Sequence, residues 1–400
     1  MAANNFKVYG YRWVVLAVFM LINLVIQILW ICYAPITGPA AAYYGVTDLQ
    51  IGLLAMSFML AFIPLSIPAS WAIDTFGFHR GVSIGALLMG VFGLLRGLAG
   101  ENYTTVLIAT WGLAIAQPFL LNAWTKLPAK WFAVGERATV VGLVTLSNLL
   151  GTGIGMALTP VLVESLPIPT VQLIYGSLAA VSALLFVIFA RSAPPTPPCP
   201  PEQDVRALML DGLKHALKLR SFWFLLFIFF AGMGVFNGLT TWIENIIRPR
   251  GFSPTDAGTL GAVLLFAGLL GAVIIPPFSD RQRKRKPYLL LGLLGAIPGV
   301  AGLAFATSFW ALLVSAFILG FFLTSLSPVG MQYAAEITQP TPEGTSNGLL
   351  QLFAQGSVIF VYIMEALKSA NGAFTPSLLL AIGLMLLSAL AVTQLKEIDG

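Results

Sequence analysis

The stretch "WAIDTFGFHR", residues 71–80, decides the fold, because an aspartate, a glycine and a basic residue directly follow a long apolar run. A second stretch, "PPFSDRQRKRK" at 276–286, again follows an apolar run with an aspartate and basic residues. Asp74 and Asp280 are 280 − 74 = 206 residues apart. Like features at a fixed spacing indicate an internal repeat.

A second pair of landmarks has the same spacing. Gly142 and Gly348 lie in two further apolar runs, and 348 − 142 = 206. Two parallel six-span halves, related by an axis along the membrane normal, are the architecture of major facilitator transporters. We therefore predict an all-α membrane protein with the major facilitator fold, in which twelve transmembrane helices form two six-helix bundles.

The composition supports a membrane protein. Of the 400 residues, 58% are hydrophobic and 9% are charged, whereas about a quarter are charged in soluble domains. About 20 apolar residues in a helix cross a bilayer, and only structures that satisfy their own backbone groups do so. Spans one to twelve are predicted near 12–36, 50–72, 80–99, 103–125, 138–163, 170–191, 221–247, 256–279, 287–306, 309–334, 344–368 and 373–394.

A linker separates the two groups of spans. It begins with "SAPPTPPCPPEQD", which is too rich in proline for a helix. The following "VRALMLDGLKHALKLR" has the pattern of an amphipathic helix at a membrane surface. We predict an N-terminal bundle at 1–191, a cytoplasmic linker at 192–220 and a C-terminal bundle at 221–400.

Basic residues orient the chain. With both termini in the cytoplasm, 17 of the 21 Lys and Arg fall on the cytoplasmic side, since only Arg96, Arg248, Arg250 and Lys368 lie elsewhere. This asymmetry predicts a multi-pass protein of the cell membrane with cytoplasmic termini. The run "DRQRKRK" is then an anchor near anionic lipid, and no nucleic-acid partner is expected.

Several chemistries are not expected. Cys32 and Cys199 support no disulfide framework. His79 and His215 both fall in predicted loops, so an intramembrane metal site is not expected. Because no nucleophile–base pair or metal-ligand spacing is present, we predict neither an enzyme nor a cofactor.

Four spans carry polar side chains on one helical face, which normally turns toward a cavity or another helix. The residues are Asn23, Gln27 and Trp30 in span one; Thr145, Asn148, Thr152 and Thr159 in span five; Asn237, Thr241 and Glu244 in span seven; and Gln351, Gln355, Tyr362 and Glu365 in span eleven. Two alternatives stay open, since an amide can simply bond a neighbouring helix and Trp30 can belong to an interfacial belt.

The aspartates that end spans two and eight are candidate gating residues. Asp74 is placed to cap a neighbouring helix or to pair with Arg80 or Arg137, and Asp280 occupies the matching place in the second half. Such a latch would control the cytoplasmic gate. The alternative is a tight turn in which Arg80 only anchors at the interface.

Three stretches carry a family resemblance: "LVIQILWICYAPI" at 24–36, "AQPFLLNAWTKLPAKWF" at 116–132 and "PVGMQYAAEITQPTPEGTSNGLLQLFAQG" at 328–356. Together they resemble the feline leukaemia virus subgroup C receptor-related family of major facilitator proteins. The resemblance implies transport of choline and ethanolamine, with haem export as an earlier association. It also implies an aromatic box from spans one and seven, with glutamines from spans five and eleven.

By position, the resemblance assigns the span-one tryptophan to Trp30 and the span-eleven glutamine to Gln355. The span-seven aromatic residue falls at Phe236 or Asn237, and the span-five glutamine falls on Leu149, which departs from the family. The remaining predicted substrate-binding residues are Gln27, Gln117, Asn148 and Gln351.

We expect a secondary transporter that works by alternating access, as a monomer and a uniporter, on a small organic cation such as choline or ethanolamine. A quaternary ammonium is held by ring faces, at about 2 kcal/mol per desolvated contact, and Trp30 offers the best ring. Export of haem or another amphipathic compound, proton-coupled transport of a drug or metabolite, and a non-transporting receptor or scaffold are the alternatives.

Glu244 has three possible roles. It is a solvated acid paired with Arg248 at i+4, or it attracts cations to an outward-facing mouth, or it couples transport to protons. Its position near the outer end of span seven is compatible with all three.

Overall fold

The computed structural model describes residues 7–124, 126–133, 136–198, 214–339 and 343–395. Every regular element in these ranges is a helix. Twelve helical segments within them are long and apolar enough to cross a membrane. In chain order, spans one to twelve are Arg12–Tyr44, Asp48–Phe76, Phe78–Leu98, Tyr103–Trp131, Thr139–Ser165, Ile168–Phe189, Arg220–Thr241, Pro254–Gln282, Lys286–Phe305, Phe309–Ile337, Ser346–Ala366 and Thr375–Thr393. The predicted all-α fold with twelve spans is confirmed.

The chain divides into two compact units, Met1–Gln203 and Asp204–Gly400. In the first unit, span one packs on span five, span two on span four, and span three on span six. The second unit repeats these pairings, with seven on eleven, eight on ten and nine on twelve. The amphipathic helix predicted at 205–220 lies outside the described residues up to residue 213.

Helix caps repeat at the interval seen in the sequence. Span two begins with a capping box in which Gln50 N donates to Thr47 Oγ1 (3.3 Å) and Thr47 N donates to Gln50 Oε1 (2.9 Å). Span eight begins with the same box between Ser253 and Asp256. Since 253 − 47 = 206, the two halves share helix starts as well as apolar runs. Each box satisfies N–H groups that the first helical turn leaves unpaired.

Four spans are interrupted or extended by a second helix. The component helices are Arg12–Ile31, the 3₁₀ turn Ala34–Ile36 and Thr37–Tyr44 in span one; Tyr103–Leu121 and Lys126–Trp131 in span four; Arg220–Thr241 followed by Ile243–Ile247 and the 3₁₀ turn Arg248–Arg250 at span seven; and Glu343–Gln355 and Val358–Ala366 in span eleven. The helix of span five is Arg137–Ser165. Three of these spans, one, seven and eleven, carry the polar faces singled out above, whereas span five, which also carries one, is continuous.

Glycine brings spans one and five into close contact. A Cβ atom at Gly151 would lie 2.1 Å from the carbonyl oxygen of Leu24, and one at Gly155 would lie 2.6 Å from Ile31 Cγ2. A side chain at Gly151 would therefore push the two helices apart. Gly153, on the same helix, has open space around its Cα.

The segment before span one is fastened to the segment after span six. Lys7 N donates to the carbonyl of Pro197 (3.3 Å). The hydroxyl of Tyr9 lies 2.5 Å from Thr196 Oγ1, and the hydroxyl of Tyr11 donates to the carbonyl of Phe189 (2.7 Å). The first unit is thereby closed by contacts between its two ends.

Candidate functional site

The polar face of span one bonds to three other spans of its own unit. The first contact is at Asn23, a fully buried residue whose Nδ2 donates to the carbonyl of Phe19 (2.9 Å). Its Oδ1 accepts from Trp124 Nε1 in the loop within span four (2.8 Å). Both ends of this amide are therefore occupied, and Asn23 links two helices.

Gln27 is different, because half of its amide has no partner. Its Nε2 donates to Asn148 Oδ1 on span five (2.7 Å). Asn148 Nδ2 in turn donates to the carbonyl of Val144 (3.1 Å), which fixes the direction of the pair. Gln27 Oε1 is buried and accepts no hydrogen bond from the described part of the chain. Because an unsatisfied buried acceptor costs about 1–3 kcal/mol, this oxygen calls for a donor from a ligand or water.

Trp30 is half-buried and held by its edge. Its Nε1 donates to the carbonyl of Ala55 on span two (3.2 Å). This bond fixes the orientation of the indole ring and leaves the π face of the ring for contact with a ligand. Sequence reasoning found Trp30 but missed Ala55, because a backbone carbonyl acceptor leaves no residue-type signal.

Two further predicted positions of the first unit lie on spans four and five. Gln117 is buried in span four, and Leu149, to which the resemblance assigns the family's span-five glutamine, is half-buried. Leu149 places an apolar group beside Asn148.

The second unit repeats part of this arrangement. Phe236 is half-buried and stands at the repeat position of Trp30, since 30 + 206 = 236. Its neighbour Asn237 is buried, with Nδ2 at 3.5 Å from Ser357 Oγ, which is a long contact. The repeat therefore places an aromatic ring on each of the first spans of the two units.

Gln355 marks the interruption of span eleven. It is the last residue of helix Glu343–Gln355 and is half-buried, as is Gln351 one turn earlier. After it, Gly356 N donates to Phe353 O and Ser357 N to Ala354 O, both at 3.1 Å, which tightens the chain into a turn. Gln355 is the repeat partner of Leu149, since 149 + 206 = 355, so one member of the pair keeps its amide.

Glu244 differs from the solvated acid that was one of its predicted roles. Its side chain is 2% exposed, and Arg248 Nη1 lies 3.6 Å from Glu244 Oε2. The helix of span seven ends at Thr241, so Glu244 belongs to the short helix Ile243–Ile247 rather than to one continuous face with Asn237. The Arg248 pairing was anticipated, but the expectation of an exposed pair was wrong because this segment folds inward.

Asp74 has a partner that the sequence did not suggest. Lys126 Nζ lies 2.5 Å from Asp74 Oδ1, joining the end of span two to the second helix of span four. Arg80 is exposed, and Arg137 donates from Nη2 to the carbonyl of Ala129 (3.3 Å). The predicted pairing of Asp74 with Arg80 or Arg137 therefore gives way to Lys126, which the interruption in span four brings into reach.

Asp280 belongs to a larger charged cluster. Arg285 pairs with Asp280 and, through Nη2, with Glu336 Oε1 on span ten (2.7 Å). Gln332 Nε2 also donates to Glu336 Oε1 (2.9 Å). The hydrogen bond with Glu336 is the main cause that raises the pKa of Arg285. Asp74 and Asp280 thus each form an ion pair with a basic side chain, as the repeat predicted, but the two partners are not at matching positions.

Several known proteins resemble this chain in sequence. The sequence matches the Major Facilitator Superfamily over residues 19–282 and 245–397. It is 30% identical to Solute carrier family 49 member A3 of Danio rerio, covering 92% of this chain and 81% of that protein. It is 28% identical to the Choline/ethanolamine transporter FLVCR2 of Homo sapiens, covering 87% of this chain and 70% of that protein. The resemblance read from the three stretches is confirmed.

The fold also matches solved structures. A bacterial homologue of the human lysosomal transporter Spinster, in an inward-facing and unoccupied conformation, superposes with a TM-score of 0.77 at 16% identity. The match covers 97% of this chain and 98% of that one. At this identity the likeness concerns the fold alone.

Proposed function

We propose a transport function from one premise: this chain belongs to the Major Facilitator Superfamily. It is a multi-pass membrane transporter of that superfamily, and its relatives include proteins named choline/ethanolamine transporters. We propose that it carries a small organic cation such as choline or ethanolamine, by alternating access and as a uniporter.

The observation that carries this proposal is the setting of Trp30. Its indole N–H is bound to Ala55 O, so the ring is fixed before a ligand arrives. A fixed ring face attracts a desolvated cation by about 2 kcal/mol without first losing rotational freedom. Phe236 supplies the equivalent ring in the second unit.

Gln27 supports a substrate that also has a hydrogen-bond donor. It stands three residues before Trp30, and side chains at i and i+3 on a helix are about 5–6 Å apart at Cβ. Its unpaired Oε1 would accept from the hydroxyl of choline or from the ammonium or hydroxyl of ethanolamine. Tetramethylammonium has the cation but no donor, so it should compete more weakly than choline.

The uniport mode rests on the position of the acids. The polar faces carry amides and hydroxyls through most of their length, while Glu244 lies just after span seven and Glu365 lies at the end of span eleven. One observation favours proton coupling as a second candidate, namely the burial of Glu244. Haem export is less supported, because His79 Nε2 is already 3.1 Å from the carbonyl of Val187 and its ring stacks on Phe186.

We further propose that the protein is a monomer in the cell membrane with both termini in the cytoplasm. The excess of Lys and Arg on the predicted cytoplasmic side supports this orientation.

Uptake into proteoliposomes tests the function. Labelled choline, ethanolamine and haem would be offered in parallel, with and without a pH gradient. Saturable uptake of choline or ethanolamine, independent of the gradient and reduced in Trp30→Ala, is expected. Uptake of haem alone, or no saturable uptake of either amine, would contradict the proposal.

A further inference from the structure

Arg96 is a buried cation whose contacts in the described part of the chain are with neutral groups. It lies in the last turn of span three and is 1% exposed. Arginine remains protonated in proteins, and burying a charge is costly unless other groups compensate for lost water. Among the described residues, no Asp or Glu forms an ion pair with Arg96. Neutral groups must therefore compensate for the water that the Arg96 guanidinium has lost.

Those neutral groups all belong to one short stretch of span one. Arg96 Nη1 donates to the carbonyl of Leu29 (2.8 Å), and Nη2 lies 3.4 Å from Cys32 Sγ. The guanidinium carbon stands 5.4 Å from the ring centroid of Tyr33. One side chain thus contacts residues 29, 32 and 33 together.

This stretch is where the first helix of span one ends. Cys32 N donates to Ile28 O (3.0 Å), and Tyr33 follows in a turn. The last carbonyls of a helix lack intrahelical partners, and a cation at this end is favoured by the helix dipole. Arg96 supplies both the donor for Leu29 O and the charge, so it caps the helix from a neighbouring span.

Trp30 lies directly beside Leu29, inside the segment that Arg96 holds. Its backbone is fixed next to Leu29 O, and its indole is fixed at Ala55 O. We propose that Arg96 is a positioning residue for Trp30, setting the angle of the ring that binds the substrate cation. The expected effect on substrate affinity rests on the proposed function. The expected effect on the orientation of Trp30 is independent of the proposed function.

Further contacts join the turn that Arg96 holds to other helices of the same unit. The hydroxyls of Tyr33 and Tyr44 lie 2.9 Å apart, which ties the turn to the second helix of span one. Gln172 Nε2 on span six lies 3.6 Å from Cys32 Sγ. The repeat position of Arg96 is Gly302, where a Cβ would lie 1.9 Å from Ser315 Oγ. The second unit therefore has no room for an equivalent arginine at this repeat position. The contacts of Arg96 with span one belong to the unit that carries Trp30.

The test compares Arg96→Gln and Arg96→Lys in the purified full-length protein. Each is also made in a Trp30→Phe background, so that difference spectra isolate the Trp30 emission from that of the other tryptophans. Arg96→Gln should shift this emission and raise its quenching by acrylamide, whereas Arg96→Lys should retain most of the native signal. Choline affinity should fall about tenfold in Arg96→Gln, which corresponds to the loss of most of one cation–π contact.

Arg250→Gln is the matched control. Arg250 also donates to helix-end carbonyls, those of Ala306 (2.7 Å) and Leu303 (2.9 Å), but in the other unit. Its removal should lower the melting temperature without changing the Trp30 signal. If Arg96→Gln does not fold, Tyr33→Leu, which removes the ring beneath the guanidinium, must produce a smaller shift of the same kind.

The outcomes separate the two proposals. If Arg96→Gln folds and its Trp30 emission and quenching are unchanged, the positioning role is overturned whatever the substrate is. If Arg96→Gln does not fold, an unchanged Trp30 signal in Tyr33→Leu overturns it. A shifted Trp30 signal in a protein that binds neither choline nor ethanolamine would support the positioning role and contradict the proposed substrate.

Discussion

Ile36 and Trp242 interrupt the two repeat-related spans at the same register. They are 242 − 36 = 206 residues apart, and their backbones adopt φ −124°, ψ 28° and φ −101°, ψ 16°, both outside the helical range. Trp30 and Phe236 each stand six residues before the interruption. Each unit therefore has a non-helical residue six positions after the aromatic ring of its first span, although the first helix already ends at Ile31 in span one and continues to Thr241 in span seven. This pairing of the two rings underlies the first prediction.

Trp30→Ala is expected to weaken choline binding by about 1–2 kcal/mol, because one cation–π contact is lost. Trp30→Phe keeps a ring and should retain part of the affinity, although it loses the bond to Ala55. Calorimetry on purified protein measures both. Trp310→Ala is the control, since Trp310 is 78% exposed at the start of span ten. Equally small effects of both Trp30 variants would assign Trp30 to an interfacial belt.

Asp74→Asn should slow transport while leaving equilibrium substrate binding nearly intact. The Asp74–Lys126 pair is 2.5 Å long, and its Lys126 and Asp74 side chains are 46% and 32% exposed. Solvent-exposed pairs contribute no more than about 1 kcal/mol to stability. A contact that exists in one conformation biases the equilibrium between conformations. Initial uptake rates, normalised to surface expression, are compared for Asp74→Asn, Lys126→Gln and the double variant.

The double variant should be no slower than either single variant, because both remove one interaction. Wild-type rates in all three would reduce Asp74 to a turn residue.

Glu244→Gln separates the remaining roles of this acid. If the charge attracts cations, the apparent KM rises, softened by salt, while kcat is kept. If it couples transport to protons, uptake loses its response to a pH gradient. Because the carboxylate is buried beside Arg248, we also expect a lower melting temperature in Arg248→Gln, which leaves the acid without this partner. Wild-type parameters for Glu244→Gln at every pH from about 5 to 8 would exclude both transport roles.

Gly151→Ala should destabilise the protein by about 1–3 kcal/mol, as overpacking does in tight interfaces. The added methyl would meet Leu24 O at 2.1 Å. Gly153→Ala, two residues away with open space around it, should be neutral or slightly stabilising, because alanine favours helices. Thermal unfolding in detergent compares the two. Equal melting temperatures would show that spans one and five separate easily.

The fold was largely predictable from the sequence, because span length, hydrophobicity and the 206-residue interval are direct properties of the residues. The helix interruptions were not. Trp242 ends a helix with no proline or glycine at that position, so the break arises from tertiary contacts such as the bond from Trp242 Nε1 to Val361 O (2.9 Å). Local propensity does not contain such information.

The candidate site was predictable only in part. Gln27 and Trp30 were found because polar residues in an apolar run stand out, whereas the Ala55 and Leu29 carbonyls look like any other backbone group. Arg96 was passed over, since a basic residue near a span end is usually an interfacial anchor. Lys126 was missed as the partner of Asp74, because the sequence does not show the interruption of span four that brings the helix Lys126–Trp131 next to the end of span two.

The contacts of Tyr9 with Thr196 and of Lys7 with Pro197 also set an order of events during synthesis. The leading segment emerges from the ribosome first, but its partners appear only after six spans have been made. Until then, the side chains and backbone of this segment lack the partners that they contact in the folded protein. The first unit can therefore complete these contacts only after the ribosome has begun to make the linker. A chain truncated before residue 189 would lack all of these contact partners.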